Sequence, residues 1–112
     1  MSCGSKIKYM IKKQKIYFPS EREIQKQIVD YLKSKNIFHW RNNVGRKHNL
    51  QFGLKGSGDI MGITSGGIFF SIECKDHKGK MSLDQILFEK RINDNSGIYI
   101  LARSLEDVTD IL

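Results

Sequence analysis

Asp59, Glu73 and Lys75 are ionisable residues set in apolar, β-prone sequence, and that setting makes them candidates for chemistry. Asp59 closes the stretch Gly56-Ser57-Gly58-Asp59, and the other two lie on the run Ile68-Phe69-Phe70-Ser71-Ile72-Glu73-Cys74-Lys75. A chain rarely places charges on strands that pack into a core unless they pair or bind something. Glu73 and Lys75 are two apart, so on a strand they share a face. Thr64-Ser65-Gly66-Gly67, between Asp59 and Glu73, is a hairpin-type turn. A short loop centred there sets Asp59 against residue 72, 73 or 74. Side chains that then share a face come within about 4.5–8 Å of one another. Two carboxylates that close repel each other, and a divalent cation relieves the repulsion.

Each residue also has an ordinary explanation. Asp59 after Ser57-Gly58 suits a turn-capping aspartate, and Glu73 with Lys75 suits an ion pair on an edge strand. Taken together, these explanations require a strand of Phe, Ile and Cys to expose charges in register with an aspartate across a hairpin, so a site is favoured. Zinc is disfavoured, because His39, His48, His77 and the two cysteines match no zinc-ligand spacing. Gly56-Ser57-Gly58 is not a phosphate-binding fingerprint, since a strand and not a helix follows it.

The elements that must position these residues can be read from caps and periodicity. Pro19-Ser20 opens a helix, with Ser20 and Glu23 spaced as a capping box and Ile24, Ile28, Tyr31 and Leu32 as its apolar stripe; it fades near Lys35-Asn36. Glu23 thereby has a structural role. Glu21 is not needed for the box and borders the face turned to the sheet, although the helix dipole alone favours a carboxylate there. Residues 37–43 read as a strand with large residues on alternating sides. Val44 to Ser57 reads as the least structured part, a basic loop with Arg46, Lys47 and Lys55 placed to touch phosphates. A hairpin over 59–64 and 67–75 follows, then the basic turn Asp76-His77-Lys78-Gly79-Lys80. Ser82-Leu83-Asp84-Gln85 is a second capping box, with Gln85 at its third helical position. The helix it opens carries Leu83, Ile86, Leu87 and Ile92 and ends before Gly97, a glycine suited to the left-handed C′ position. Residues 98–102 are an apolar strand, and Ser104-Leu105-Glu106-Asp107 caps a last short helix with Leu105, Val108 and Ile111. The order α-β-β-β-α-β-α describes an α/β fold, a small mixed sheet flanked by helices, with a right-handed crossover before the last strand.

At 112 residues the chain is one domain. Its 39% hydrophobic and 28% charged residues are ordinary for a folded protein. Nineteen Lys and Arg against twelve Asp and Glu give a net charge of +7, which points to a polyanionic partner, nucleic acid ahead of an anionic membrane surface. No apolar stretch reaches the roughly 18–20 residues of a membrane span, no signal-peptide pattern is present, and Cys3 and Cys74 do not form a disulfide framework. A reduced, buried Cys74 and a cytoplasmic location are expected. Residues 1–19 hold five lysines and no acid, interleaved with apolar residues. They form a basic N-terminal arm outside the 20–112 domain, and either contact a phosphate backbone or are simply solvated.

Asp59 followed by Glu73-Cys74-Lys75 resembles the Asp…Glu-x-Lys pattern of the PD-(D/E)XK nuclease superfamily, with Gly58 where the name has proline. The nearer resemblance is to the VRR-NUC family, from about Ser20 to Val108. It is carried by Glu21-Arg22-Glu23-Ile24-Gln25, Trp40-Arg41-Asn42-Asn43, Gly56-Ser57-Gly58-Asp59-Ile60, Ile72-Glu73-Cys74-Lys75 and the helix from Ser82. A domain of this size looks like the stand-alone phage and bacterial members, which resemble Holliday-junction resolvases.

The resemblance implies a restriction-endonuclease-like core and a metal-dependent endonuclease acting as a homodimer on branched DNA, four-way junctions above all. It implies that Asp59 and Glu73 bind Mg²⁺ or Mn²⁺, helped by the Cys74 backbone carbonyl and by Glu21, directly or through water. It further implies that Lys75 orients the attacking water or stabilises the phosphate, and that Gln85 lines the site, which competes with its capping role. Arg41, Arg46, Lys47, Lys55, Lys78 and Lys80 are the expected DNA contacts. A flap or nicking nuclease of the same fold and a non-catalytic nucleic-acid-binding module remain as alternatives.

Overall fold

The computed structural model describes residues 16–42, 44–47 and 50–112, with the backbone alone over 45–47 and 50–52. Most of the basic arm therefore lies outside the described residues, as do Asn43, His48 and the side chains of Arg46 and Lys47.

Helix α1 (Glu21–Ser34) starts at Ser20, whose hydroxyl accepts the Glu23 N–H at 3.1 Å. The Glu23 carboxylate accepts from the Tyr17 hydroxyl and turns back to Ser20, accepting from its hydroxyl (3.3 Å) with the Ser20 N–H close enough to help lower its pKa. Ile24, Ile28, Val29 and Leu32 form its buried stripe. At the other end Asn36 turns left-handed (φ 54°), and the N–H groups of Asn36 and Ile37 return to the carbonyls of Lys33 and Leu32. That closes the helix with its last carbonyls satisfied.

Strands β1 (Phe38–Arg41), β4 (Ile60–Ile63), β5 (Phe69–Cys74) and β6 (Ile98–Ala102) form one sheet in the order β1-β4-β5-β6. The first two pairings are antiparallel, and β5 pairs with β6 in parallel. β2 (Gly45–Lys47) and β3 (Leu50–Phe52) form a separate antiparallel pair within the segment expected to be the least structured. A three-residue strand carries too little alternation to be seen in sequence, and here the pairing itself defines the element.

Alternation along β5 divides the layers. Phe70, Ile72 and Cys74 point to one face, where they join Ile24, Ile28 and Leu32 of α1 and Val108 of α3 (Glu106–Thr109) in the core. Ser71 and Glu73 point to the other face, which α2 (Leu83–Asp94) covers. The fold is mixed α/β, a four-stranded mixed sheet with helices on both faces.

Two local expectations are corrected. In α2 the inward residues are Gln85, Phe88 and Ile92, whereas Leu83, Ile86 and Leu87 are exposed. Gln85 bonds to Glu73 and Phe88 packs edge-on against Tyr99, with Ile92 on the same helical face. At the end of α2, Ser96 and not Gly97 takes the left-handed conformation (φ 64°). Gly97 instead allows a close approach, because a Cβ there would lie 2.8 Å from Ile92 Cγ2 while its N–H bonds to the Ile92 carbonyl. No helix among the described residues is long and apolar enough to cross a membrane.

Candidate metal centre

The C-terminal end of β5 is met by the N-terminal ends of both long helices and of β4. Glu73 is the last but one residue of β5, Asp59 immediately precedes β4, Glu21 begins α1, and Gln85 lies in the first turn of α2. One carboxylate oxygen from each of Glu21, Asp59 and Glu73 lies within 4.8 Å of the other two. Glu21 is exposed, Asp59 half-buried and Glu73 buried, so the set forms a graded opening from solvent to core.

Asp59 is held by its main chain and its side chain at once. Its N–H donates to the Ile72 carbonyl and its Oδ2 accepts the Cys74 N–H, both at 2.8 Å. It thus brackets Glu73, touching the residue before and the residue after. Of the three partners the turn allows, the hairpin uses residues 72 and 74 for bonds and sets 73 opposite.

Gly58 makes this possible: a Cβ there would collide with Ser71 Oγ and lie 2.8 Å from the Ile72 carbonyl oxygen. Asn42 secures the same segment from β1. Its side-chain amide donates to Ser57 Oγ (2.7 Å) and the Gly58 carbonyl (2.9 Å), and its N–H donates to the Asp59 carbonyl (2.8 Å). The positioning roles of Asn42 and Ser57 were not legible in sequence. The partners are 15 and 16 residues apart, and no periodicity links them.

Gln85 reconciles its two proposed roles. Its Oε1 accepts the Ser82 N–H (2.9 Å) and its N–H donates to Ser82 Oγ (3.2 Å), which completes the capping box. Its Nε2 donates to Glu73 Oε1 at 2.8 Å. Lys75 Nζ lies 3.6 Å from the same oxygen. With Oε1 committed to both, Glu73 has its other oxygen for a ligand.

Burial pushes Glu73 up from 4.5 to about 7, and the charges of Asp59 and Glu21 push the same way against the opposing pull of Lys75. Asp59 is also raised, chiefly by burial, with the Cys74 N–H and Lys75 partly offsetting. Glu21 is raised by burial and then by the Asp59 charge. If both were ionised, Asp59 and Glu73 would repel each other by on the order of 3 kcal/mol at an effective dielectric constant of about 20. Three oxygen donors from Glu21, Asp59 and Glu73 that strain against their own charge suit a hard divalent cation. Asp76 is not part of the set: its carboxylate accepts the Lys78 and Gly79 N–H groups in the turn after β5, which hold it below the usual range. Cys74 contributes no thiol, because the side chain is buried in the core and its proton is held more tightly than usual.

A cleft of about 400 Å³ opens over the carboxylates, bordered by Lys55, Lys75, Asp84 and Gln85. Among the expected DNA contacts, Lys55 stands on this rim, 3.3 Å from Asp84. Lys78 and Lys80 are exposed on the turn after β5, and Arg41 is exposed at the end of β1. In comparisons with known proteins, no family model, no curated protein and no solved structure matches the chain.

Proposed function

We propose that the chain is a metal-dependent endonuclease that hydrolyses phosphodiester bonds in DNA, acting as a homodimer on branched substrates, four-way junctions first. The observation that supports it most is the convergence of Glu21, Asp59 and Glu73 within 4.8 Å beside the Lys75 ammonium. Carboxylates alone would make a cation site; a lysine in the same cleft adds a group for phosphate. The net charge of +7 favours a polyanion, and the acidic cluster is a local exception to it.

Asp59, Glu73 and Glu21 would hold Mg²⁺ or Mn²⁺, with the Cys74 carbonyl as a further oxygen. When bound, the cation supplies a water of lowered pKa and charge stabilisation at the phosphate. The chain's own residues do the rest. Gln85 fixes the Glu73 carboxylate in one rotamer, as partners behind a ligand do. Lys75 orients the attacking water or pairs with a phosphate oxygen, and the Cys74 N–H favours the ionised form of Asp59 against the opposing effect of burial.

The test incubates purified protein with labelled four-way junctions, flaps and linear duplex, in Mg²⁺ and in chelator, beside Asp59→Ala and Lys75→Ala. Junction cleavage that requires the cation and falls at least about a hundredfold in both variants is expected. Binding without cleavage by the wild type would leave a non-catalytic binding module, and equal cutting of flaps and duplex would remove the junction preference. Light scattering on the protein–junction complex reads the dimer.

A further inference from the structure

Asp59 faces a second opening. A cleft of about 510 Å³ lies beside the first, within the ~300–1,000 Å³ range of small-ligand pockets, and shares Val44, Ser57 and Asp59 with it. Its other side is formed by Gln25, Arg41 and Asn42. The two clefts adjoin across Asp59, so a chain molecule laid over the carboxylates continues into the second.

Their charges differ. The first carries Glu21, Asp59, Glu73 and Asp84 against Lys55 and Lys75. Without a cation, an anion entering it meets an excess of negative charge. In the second, the only charged groups among the described residues are Arg41 and the shared Asp59, and one oxygen of Asp59 already accepts the Cys74 N–H. Arg41 ends β1 with its side chain exposed and makes no ion pair among the described residues. Both protons of the Asn42 amide are used on Ser57 and Gly58, so Asn42 is a wall and not a donor. Gln25 is half-buried one helical turn after Glu21, on the same face of α1, and makes no side-chain hydrogen bond among the described residues. A guanidinium fork and a neutral amide on either side of a polar cleft match a phosphate diester oxygen pair and its sugar.

We propose that the Gln25–Arg41 cleft binds a nucleic-acid backbone phosphate without help from a cation. Arg41 is the charge partner and Gln25 the neutral donor. That this phosphate is the neighbour of the scissile one rests on the nuclease function proposed above; the binding itself does not.

The experiment measures fluorescence anisotropy of a short fluorescein-labelled oligothymidylate with the full chain in chelator, over a range of salt. Arg41→Gln is expected to weaken binding about tenfold at low salt and to flatten the slope of log K against log salt by about 0.7, the single-strand value for one lost phosphate contact. Arg41→Lys restores the slope with only part of the affinity, since the charge returns without the fork. Gln25→Ala weakens binding several-fold with the slope unchanged, because an amide carries no charge. Lys26→Gln, which removes one positive charge from the exposed side of the same helix, leaves both quantities near wild type. In Mg²⁺ the Gln25 and Arg41 variants raise KM more than they lower kcat.

Wild-type affinity and slope in Gln25→Ala and Arg41→Gln overturn the inference, as does a Lys26→Gln effect equal to that of Arg41→Gln, which would indicate only a diffuse basic field. Oligonucleotide that does not bind the wild type in chelator also overturns it. Weakened binding by the variants of a wild type that cuts no DNA leaves the phosphate site standing and removes the nuclease. Metal-dependent cutting with wild-type chelator binding and KM in both variants does the reverse.

Discussion

Gln85 uses both ends of its carboxamide, one to cap α2 and one to hold Glu73. Substitutions separate the two. Gln85→Ala is expected to lose about 1 kcal/mol of stability, in the range of other lost caps, together with activity. Gln85→Glu keeps a residue suited to the third helical position but sets a carboxylate against Glu73. It should melt close to wild type in saturating Mg²⁺ while cleavage falls about tenfold or more. Thermal melts and cleavage rates on the same preparations check this. Glu73 itself sets a pH dependence. An acid whose folded-state pKa is raised keeps its proton in the folded chain over a window where the unfolded chain has lost it. Its contribution to stability therefore declines as pH climbs from about 4.5 to about 7 and is flat above that. In chelator, the wild type should thus melt lower at pH 8 than at pH 5.5. Glu73→Gln should lose most of that difference, and Mg²⁺ should shrink it in the wild type by binding the ionised set.

At the scale of elements, the close contact between the segment before β4 and the middle of β5 places Asp59. It depends on Gly58, since any Cβ there meets Ser71 Oγ and the Ile72 carbonyl oxygen. Ser71, fully buried, fills the space beside position 58. Gly58→Ala is expected to cost about 1–3 kcal/mol by overpacking. Adding Ser71→Gly should recover part of the loss but not all, because the Ile72 carbonyl remains. Urea midpoints of the single and double variants measure both steps, and an unchanged midpoint in Gly58→Ala would show that the two strands have room to part. Asn42 supports the same segment from β1, so the site's rigidity comes from three strands and not from the hairpin alone.

Across the whole molecule, the net charge is +7 while the proposed reaction centre is acidic. On the proposed function this would divide long-range attraction from local chemistry, the lysines and arginines gathering the polyanion and a cation being needed only at the cluster. Affinity for duplex in chelator should fall linearly on a log–log plot against salt, with a slope near −0.9 per phosphate contacted. Deleting residues 1–15, which carry Lys6, Lys8, Lys12, Lys13 and Lys15, flattens the slope if the arm contacts phosphates and leaves it unchanged if those lysines are merely solvated. Anisotropy titrations of the two chains decide between these.

The sequence by itself determined which residues were candidates for chemistry and the order of the main elements, the β2–β3 pair excepted. Charges among β-prone residues single out Asp59, Glu73 and Lys75; the turn at 64–67 brings the first two together; Ser20 and Ser82 mark where both long helices begin. These are local signals, fixed by backbone preference and by periods of two or three and a half residues. Only the tertiary structure decided what each signal was used for. Glu21 joins the carboxylates because α1 packs with its first turn over the end of β5, a placement no spacing encodes. Leu83, Ile86 and Leu87 face solvent, against the expected stripe, since the face turned to the sheet is the one on which Gln85 bonds Glu73 and buried Phe88 packs edge-on against Tyr99. Asn42 and Gln25 acquire their places only when β1 and α1 meet the segment before β4. Contacts between residues distant in sequence leave no periodic trace, so the half of the site made from them could be read only from the folded chain.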